Sequence, residues 1–266
     1  MTWTVMGSGG FIGGRLVSEL RSSGELVNTP ARNQKNLYQM QLGHVIYAVG
    51  LTSDFRSRPY DTVEAHVCKL IEFFKHAKFE SFLYLSSSRV YARSFSGNEV
   101  SQLSVTSSDP SDLYNLSKLL GESICLQDAR SRIRVARLSN VVGSDDINSE
   151  NFLPSLVREA RTGYIRLQTT LESAKDYVHI DDVVRLLICI AESGRHRIYN
   201  VASGLQTTHQ QLIDQLVKQT GCLVEVIPSA QTLSFPQIDI RRISEEFNFN
   251  PQPPINLLSE YFTKII

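Results

Sequence analysis

Residues 2–20 read TWTVMGSGGFIGGRLVSEL, and they give the first evidence of the fold class. Thr2 to Met6 is a short β-prone run that ends at a glycine-rich turn. Phe11 to Leu20 then continues with apolar residues at helical spacing. A strand, a tight turn and a helix in this order are typical of a parallel sheet that is covered by helices.

The alternation of strands and helices continues along the chain. Further strands are predicted at His44–Val49, Ser81–Leu85, Arg132–Leu138 and Arg197–Val201, and helices at Val63–His76, Leu113–Gln127 and Asp181–Ala191. This order predicts an α/β fold with a doubly wound parallel sheet and helices on both faces. Beyond Gly143 the chain turns to polar loops, an amphipathic segment at Phe152–Ala160 and a proline-containing tail. We expect a main domain over 1–143, whose sheet is rejoined by about 177–203, and a mostly small substrate-binding region over 144–266.

The second strand, predicted at Leu26–Ala31, contains Pro30. Proline cannot donate to a strand ladder and is confined to sheet edges, strand starts or bulges. Only about a dozen residues separate Arg32 from the strand that begins at His44, too few for the helix, strand and helix that usually intervene. Both observations predict an edge strand and a sheet that lacks its usual outermost strand.

Composition restricts the class of protein. The 266 residues carry 27 Lys plus Arg and 27 Asp plus Glu, so no charge excess points to nucleic acid or to a membrane surface as partner. The four cysteines form no CxxC pair, which argues against a zinc site and a disulfide framework. We therefore expect no bound metal, and we expect the cysteines to be buried free thiols. The chain opens into a strand without a signal-like apolar core, so we expect a cytoplasmic protein.

The glycines of the first turn, Gly7, Gly10 and Gly13, stand at GxxGxxG spacing. Glycine lets the backbone approach a pyrophosphate, and the following helix N-terminus presents free N–H groups to the anion. We predict a nicotinamide dinucleotide here, with Phe11 and Ile12 and the end of the third strand, Ala48, Val49 and Gly50, beside it. Arg32 stands where an acidic residue would select NAD, and a guanidinium suits the 2′-phosphate of NADP; NADP is therefore preferred and NAD stays open.

Tyr114 and Lys118 are four residues apart on a predicted helix, so their side chains project from one face. The preceding strand ends at Ser86, Ser87 and Ser88, at the carboxyl edge of the sheet where ligands of doubly wound folds bind. A nearby ammonium favours phenolate over phenol, and a serine hydroxyl can hold the substrate oxygen that exchanges a proton.

With these motifs, the chain resembles the extended short-chain dehydrogenase/reductases, the group of nucleotide-sugar epimerases, dehydratases and reductases with a Rossmann-like fold. The matching stretches are FIGG at 11–14, FLYLSSSRVYA at 82–92, YNLSK at 114–118, RLSNVVG at 137–143, KDYVHIDD at 175–182 and YNVASG at 199–204. They span nearly the whole chain in the order of that family.

The resemblance implies roles for individual residues. Tyr114 would be the acid/base and Ser87 the catalytic hydroxyl, while Lys118 would bridge the cofactor ribose and lower the pKa of the tyrosine. Among its neighbours, Ser86 would support the cofactor and Ser88 the substrate. Asn140 and Lys175 would contact a nucleotide-diphosphate sugar, with Lys175 in place of a phosphate-binding arginine. His179 and Asp181 also match, but strand-end packing and a helix cap explain them.

One departure from the family pattern narrows the reaction. Dehydratases of the family carry an Asp-Glu pair after the catalytic hydroxyl, whereas this chain has Ser88 and Arg89, so dehydration is disfavoured. The leading hypothesis is a ketoreductase or an epimerase acting on a nucleotide-diphosphate sugar. A reductase of a small ketone or aldehyde would instead have an apolar pocket around Phe152–Leu171, and a non-catalytic NAD(P) sensor would usually lack Tyr or Lys. Relatives often form homodimers through the helices at 63–76 and 113–127, whose apolar residues Phe73, Phe74, Leu116 and Leu120 suit either core or interface.

Overall fold

The computed structural model describes residues 1–51 and 55–263. The strands are β1 (Thr2–Met6), β2 (Leu26–Asn28), β3 (His44–Tyr47), β4 (Ser81–Ser87), β5 (Ile133–Leu138), β6 (Asn140–Val142), β7 (Tyr164–Thr169), β8 (Ala174–His179), β9 (Ile198–Val201), β10 (Gln206–Thr208) and β11 (Leu223–Gln231). The α-helices are α1 (Phe11–Ser22), α2 (Pro59–Val63), α3 (Lys69–His76), α4 (Asp112–Gln127), α5 (Phe152–Arg161), α6 (Ile180–Ser193), α7 (His209–Thr220), α8 (Arg241–Phe247) and α9 (Glu260–Thr263). Short 3₁₀ turns lie at Leu37–Gln39, Ser88–Tyr91, Ser144–Asp146 and Pro254–Ser259.

Six parallel strands form the central sheet in the order β2-β1-β3-β4-β5-β9. The residues of β3 and β5 are buried throughout, as in strands covered on both faces. Helices α1 and α6 pack on one face, over a core that includes Trp3, Leu16 and Leu187. Helices α3 and α4 cover the other face, where Phe73, Phe82 and Cys125 are buried. The predicted doubly wound α/β sheet is confirmed.

Strand β2 lies at the edge of this sheet, as predicted. It pairs only over Leu26, Val27 and Asn28, each opposite one of the first residues of β1. Pro30 falls beyond the end of the strand, which is shorter than the sequence predicts. Since proline has no N–H for the ladder, pairing stops before it.

Residues after Gly143 contain more regular structure than the sequence predicts. Strands β10, β8 and β6 form a second, three-stranded sheet, and β11 pairs with β7 in parallel. Helices α5 and α7 contribute to a separate apolar cluster with β7, which includes Leu156, Ile165 and Leu216. Within the segment 177–203, expected to rejoin the main sheet, β9 does so, whereas the residues of β8 pair in the second sheet.

Helices α2 and α3 are joined by a π-helical segment, Glu64–Cys68. The helical stretch begins at Pro59, earlier than predicted, because proline is well accommodated at the first helical position. The segment turns His66 inward, where it is fully buried. π-segments inside helices are frequent at functional sites, and this one faces α4.

All four cysteines belong to the described residues and are free thiols. Cys125 and Cys222 are buried as expected, Cys189 is half-buried and Cys68 is exposed, because the π-segment that ends at Cys68 turns this side chain outward. Across 1–51 and 55–263, none of the helices combines the length and the apolar character that a membrane crossing requires.

Candidate active site

The glycine turn packs backbone against backbone. Gly7 has a φ of +83°, and a Cβ built on it would stand 2.6 Å from the carbonyl oxygen of Ala48. A Cβ on Gly13 would collide with the carbonyl oxygen of Gly7, and the Gly10 N–H donates to that same oxygen at 3.1 Å. Gly10 precedes α1 without a side-chain cap, so the first N–H groups of the helix are open to a ligand. These features fit the diphosphate of a dinucleotide.

A cavity of about 600 Å³ extends from this turn past the end of β4 to Tyr114 and Lys118 of α4. Most of the predicted site residues line it: Gly10, Phe11, Ile12, Ala48, Val49, Gly50, Ser86, Ser87, Ser88, Tyr114, Lys118, Asn140 and Lys175. Gly7 and Gly13 lie behind the lining, where they make the close backbone contacts. Arg32 is exposed on the loop after β2, also outside the lining.

The side chains of Ser87 and Tyr114 line the same cavity, close enough for the Ser87 hydroxyl to influence the pKa of the phenol. Ser87 ends β4, and its Oγ also accepts from the N–H of Arg89 at 3.2 Å. Burial raises the pKa of Tyr114, while the Ser87 hydroxyl and the charge of Arg89 act in the opposite direction. Two hydroxyls therefore meet on the cavity wall, one of them beside a guanidinium.

Lys118 lies one helical turn after Tyr114, and its side chain is buried. Its Nζ donates to the carbonyl oxygen of Leu85 at 2.8 Å and stands 5.9 Å from the centre of the Tyr114 ring. Burial lowers the pKa of Lys118 to about 7, against the opposing effect of Glu122. The resemblance assigns the lowering of the Tyr114 pKa to this lysine, and in this structure the charge of Arg89 also lowers that pKa.

A buried ion pair supports the strand ends behind the cavity. Arg137 Nη2 donates to Glu122 Oε2 at 2.7 Å, and both side chains are almost fully buried. Burial alone would lower the pKa of Arg137, but the Glu122 carboxylate outweighs it and raises that pKa. Ser86 donates its hydroxyl to Glu122 as well, so this predicted cofactor neighbour is engaged with the ion pair. The contacts tie β4, β5 and α4 together.

The predicted substrate residues Asn140 and Lys175 line the cavity from β6 and β8 of the second sheet. Asn140 begins β6, and its Nδ2 donates to the carbonyl oxygen of Asp176 at 2.7 Å. The Nζ of Lys175 stands 4.9 Å from the centre of the Phe152 ring. Burial and the charge of Arg89 lower the pKa of Lys175. This part of the cavity wall thus combines an aromatic face with a cation.

His179 and Asp181 have the structural role that the sequence favoured. His179 is the residue before α6, and its Nδ1 accepts from the N–H of Asp181 at 3.3 Å. Asp181 pairs with Arg15 of α1 at 2.8 Å. His179 therefore caps α6, and Asp181 joins α6 to α1.

Two neighbours of the site were missed by the sequence reasoning. His66 shares a hydrogen bond with Ser117 at 2.8 Å through Nδ1, and its Nε2 is buried with no hydrogen-bond partner among the described residues. Burial and the charge of Lys118 lower the pKa of His66 to about 2, so the ring is neutral. No periodicity predicts a π-segment, so nothing in the sequence placed His66 here. Arg89 was noticed only as a departure from the dehydratase pattern.

Comparison with known proteins gives related folds and one related activity. The dTDP-4-dehydro-6-deoxy-D-allose reductases of Streptomyces sp and Streptomyces bikiniensis are each 25% identical over 150 residues, which are 53% of this chain and 46% of theirs. The chain thus spans about half the length of the curated relatives it matches.

Solved structures match over almost the full chain. MoeE5 in complex with UDP-glucuronic acid and NAD has a TM-score of 0.81 at 21% identity, covering 98% of this chain and 97% of that one. RMD from Pseudomonas aeruginosa with NADPH has a TM-score of 0.78 at 21% identity and 99% coverage of both chains. UDP-glucuronic acid 4-epimerase from Bacillus cereus has a TM-score of 0.79 at 17% identity, covering 100% of each chain. At these identities the matches establish the fold.

The sequence model of the NAD dependent epimerase/dehydratase family matches residues 3–202. This range contains the glycine turn, Ser87, Tyr114, Lys118 and Asn140, which the structure places around one cavity. It covers well over half of the 266 residues. The chain therefore belongs to the NAD-dependent epimerase/dehydratase family.

Proposed function

We propose that this protein is an NADP-dependent ketoreductase that acts on a carbonyl carbon of a nucleotide-diphosphate sugar. The observation that carries the proposal is that Ser87, Tyr114 and Lys118 line one cavity, which begins at the glycine turn. An epimerase would use the same residues. Dehydration stays disfavoured, because Arg89 occupies a position where the proton-transferring carboxylates of dehydratases are expected.

The chain's own residues account for the proton transfer. In reduction the phenol of Tyr114 would donate its proton to the substrate oxygen, which becomes a hydroxyl. Ser87 would hold that oxygen through its side chain, and the Leu85 carbonyl fixes the ammonium of Lys118 behind the tyrosine. The open N-terminus of α1 would hold the cofactor diphosphate, and a bound nicotinamide would supply or accept the hydride.

Charge on the cavity wall supports an anionic substrate. Lys175 and Arg89 both line the cavity, and the pKa of Lys175 is lowered by burial and by Arg89, which indicates two cations in one space. A diphosphate would offset this repulsion. A reductase of small ketones is less well supported, since the wall near Phe152 carries Lys175 in addition to apolar groups.

The proposal also includes the preferred cofactor, the division into two regions, the cellular location and the oligomeric state. The preference for NADP over NAD rests on Arg32, which is exposed beyond β2. The division into a cofactor domain over 1–143 and a mostly substrate-binding region over 144–266 agrees with the second sheet and its separate core. The free thiols suit a cytoplasmic location. A homodimer is proposed by analogy with the family.

Replacing Tyr114 by Phe tests the proposed proton donor. NADPH oxidation with 4-keto sugar nucleotides should fall by about 10²- to 10⁴-fold, because the proton donor is gone. The cofactor dissociation constant should change little. Tyr164→Phe is the matched control, since Tyr164 is exposed on β7 and its hydroxyl bonds to Glu225. Unchanged turnover in Tyr114→Phe would reject Tyr114 as the proton donor, whereas a wild type that turns over no keto-sugar nucleotide but binds the cofactor would favour a non-catalytic NAD(P) sensor.

Reductase and epimerase differ in what happens to the cofactor. A reductase consumes NADPH at each turnover, whereas an epimerase retains its dinucleotide. Purified protein that carries tightly bound NAD and oxidises no NADPH with any keto-sugar nucleotide would contradict the reductase proposal.

A further inference from the structure

Arg89 places a guanidinium in the cavity that Ser87 and Tyr114 line. It lies two residues after Ser87, in the 3₁₀ turn Ser88–Tyr91, and it lines the cavity together with Tyr114. Its Cζ stands 5.5 Å from the centre of the Phe55 ring. The side chain is half-buried, so it belongs to the cavity wall more than to the outer surface.

The guanidinium of Arg89 has few partners within the chain. One nitrogen reaches the carbonyl oxygen of Ser111 at 3.5 Å, and Nε is buried without a hydrogen-bond partner among residues 1–51 and 55–263. Two nearby carboxylates, those of Asp109 and Asp112, form ion pairs with Arg93. A partly buried cation without a paired anion is unfavourable, so this position would favour an anionic ligand.

Arg89 and Lys175 both line the cavity, but they stand over different aromatic rings. Arg89 stands over Phe55, whereas Lys175 stands over Phe152. In the proposed function the diphosphate lies by Lys175, which leaves the planar fork of Arg89 free. A guanidinium binds a carboxylate through two parallel hydrogen bonds, a geometry that an ammonium lacks.

We infer that the sugar of the substrate carries a carboxylate, so that the protein acts on a nucleotide-diphosphate uronic acid and Arg89 binds the carboxylate. This inference rests on the proposed function. The diphosphate is attached at the anomeric carbon, across the ring from a reacting C4, whereas the C6 carboxylate is attached to the neighbouring C5. A cation adjacent to Ser87 and Tyr114 therefore suits the carboxylate better than the diphosphate.

Binding to acidic and neutral sugar nucleotides tests the inference. We would measure calorimetric dissociation constants for the Tyr114→Phe protein saturated with NADP, which prevents turnover. The ligands are matched pairs of glucuronate and glucose on UDP, dTDP and GDP. On the base that binds best, the uronate should bind about tenfold tighter than the glucose, because it adds a bidentate ion pair.

Arg89→Leu in the same background should reduce this preference to about twofold or less, while binding of the neutral sugar changes little. Arg89→Lys, which retains the charge but not the fork, should give an intermediate preference and serves if the leucine variant does not fold. Arg56→Leu is the matched control, because Arg56 stands over the same Phe55 ring at 4.6 Å but is exposed and bonds to the Ser111 side chain. The Arg56→Leu protein should still bind the uronate more tightly than the glucose.

Equal binding of uronate and glucose, or an equal loss of preference in Arg56→Leu and Arg89→Leu, would overturn the inference and leave the proposed function standing. Failure of every sugar nucleotide to bind, with NADP still bound, would overturn the proposed function itself.

Discussion

The ammonium of Lys118 makes the stability of this protein depend on pH. Its pKa is lowered from 10.5 to about 7 by burial, so the folded chain releases this proton more easily than the unfolded chain. Between those values the unfolded state binds more protons, and this group makes folding more favourable as the pH rises from about 7. Below about pH 7 the buried charge opposes folding in full.

Lys118→Met should therefore be more stable than the wild type at pH 6, and its advantage should shrink by pH 9. Urea unfolding midpoints at the two values measure the gap. Lys75→Met is the control, since Lys75 is exposed on α3 and pairs with Glu72; no such trend is expected there. A gap that widens towards pH 9 would contradict the direction assigned to the pKa of Lys118.

Substitution of Arg32 tests whether the protein prefers NADP to NAD. If its guanidinium binds the 2′-phosphate, Arg32→Ala should weaken NADP binding by about tenfold and leave NAD binding nearly unchanged. Fluorescence titration with both reduced cofactors gives the ratio. Arg21→Ala, an exposed arginine in the last turn of α1, provides the comparison. An equal effect on both cofactors would remove the argument for NADP.

At the scale of elements, the close approach of α4 to the sheet depends on Gly121. A Cβ there would stand 3.0 Å from the carbonyl oxygen of His66 and collide with the hydroxyl of Tyr84. Gly121→Ala should lower the free energy of unfolding by about 1–3 kcal/mol, because the helix must move away. Turnover should also fall, since Tyr114 and Lys118 belong to the same helix.

Gly14→Ala in α1 is the matched helical control. Gly14 is exposed, and a Cβ there would meet only the carbonyl oxygen of Ser8 at 3.4 Å. Alanine should be tolerated or stabilise the helix by up to about 1 kcal/mol, because glycine loses more backbone entropy on folding. Urea unfolding of both variants gives the comparison, and equal destabilisation would refute the packing argument.

The elements of the main sheet could be predicted because their signals are local. The apolar run of β4, the helical spacing of α4 and the proline after β2 each restrict the backbone directly. Strands of the second sheet could not be predicted in this way. β6 and β10 have three residues each, too few for a periodic pattern, and they are defined by pairing with β8. The long β11 is mostly exposed, so it shows no buried face.

The residues of the candidate site likewise differ in whether the sequence alone could predict them. Ser87, Tyr114 and Lys118 follow from motif spacing and from their place at the sheet edge. The places of His66 and of the Arg89 guanidinium depend on three-dimensional contacts between distant segments, which spacing along the chain does not determine. Likewise, the hydrogen bond from Lys118 to the Leu85 carbonyl oxygen depends on the burial of the lysine side chain in the folded protein.

At the scale of the whole molecule, the structure distinguishes the apolar residues that the sequence left open between core and interface. Phe73 is buried, whereas Leu120 on α4 is 50% exposed and Ile71 on α3 is 37% exposed. Phe74 and Leu116 are half-buried. The outer surfaces of α3 and α4 therefore carry apolar groups that a second copy of the chain could cover.

For the proposed homodimer, sedimentation should give twice the chain mass of 29.9 kDa. Leu120→Asp should shift the mass towards a single chain, because a carboxylate in an apolar interface is unfavourable. Leu223→Asp is the control, since Leu223 is 71% exposed on β11, away from α4. A single-chain mass for the wild type at every concentration would contradict the dimer.

The brevity of β2 also bears on solubility. In the described part of the chain this strand forms one border of the central sheet, and its outward backbone groups are a potential template for strands of other molecules. Three residues offer too few donors and acceptors to hold an incoming strand, and the nearby proline prevents extension. The fold thus resists edge-to-edge aggregation at this border through the length of the strand itself.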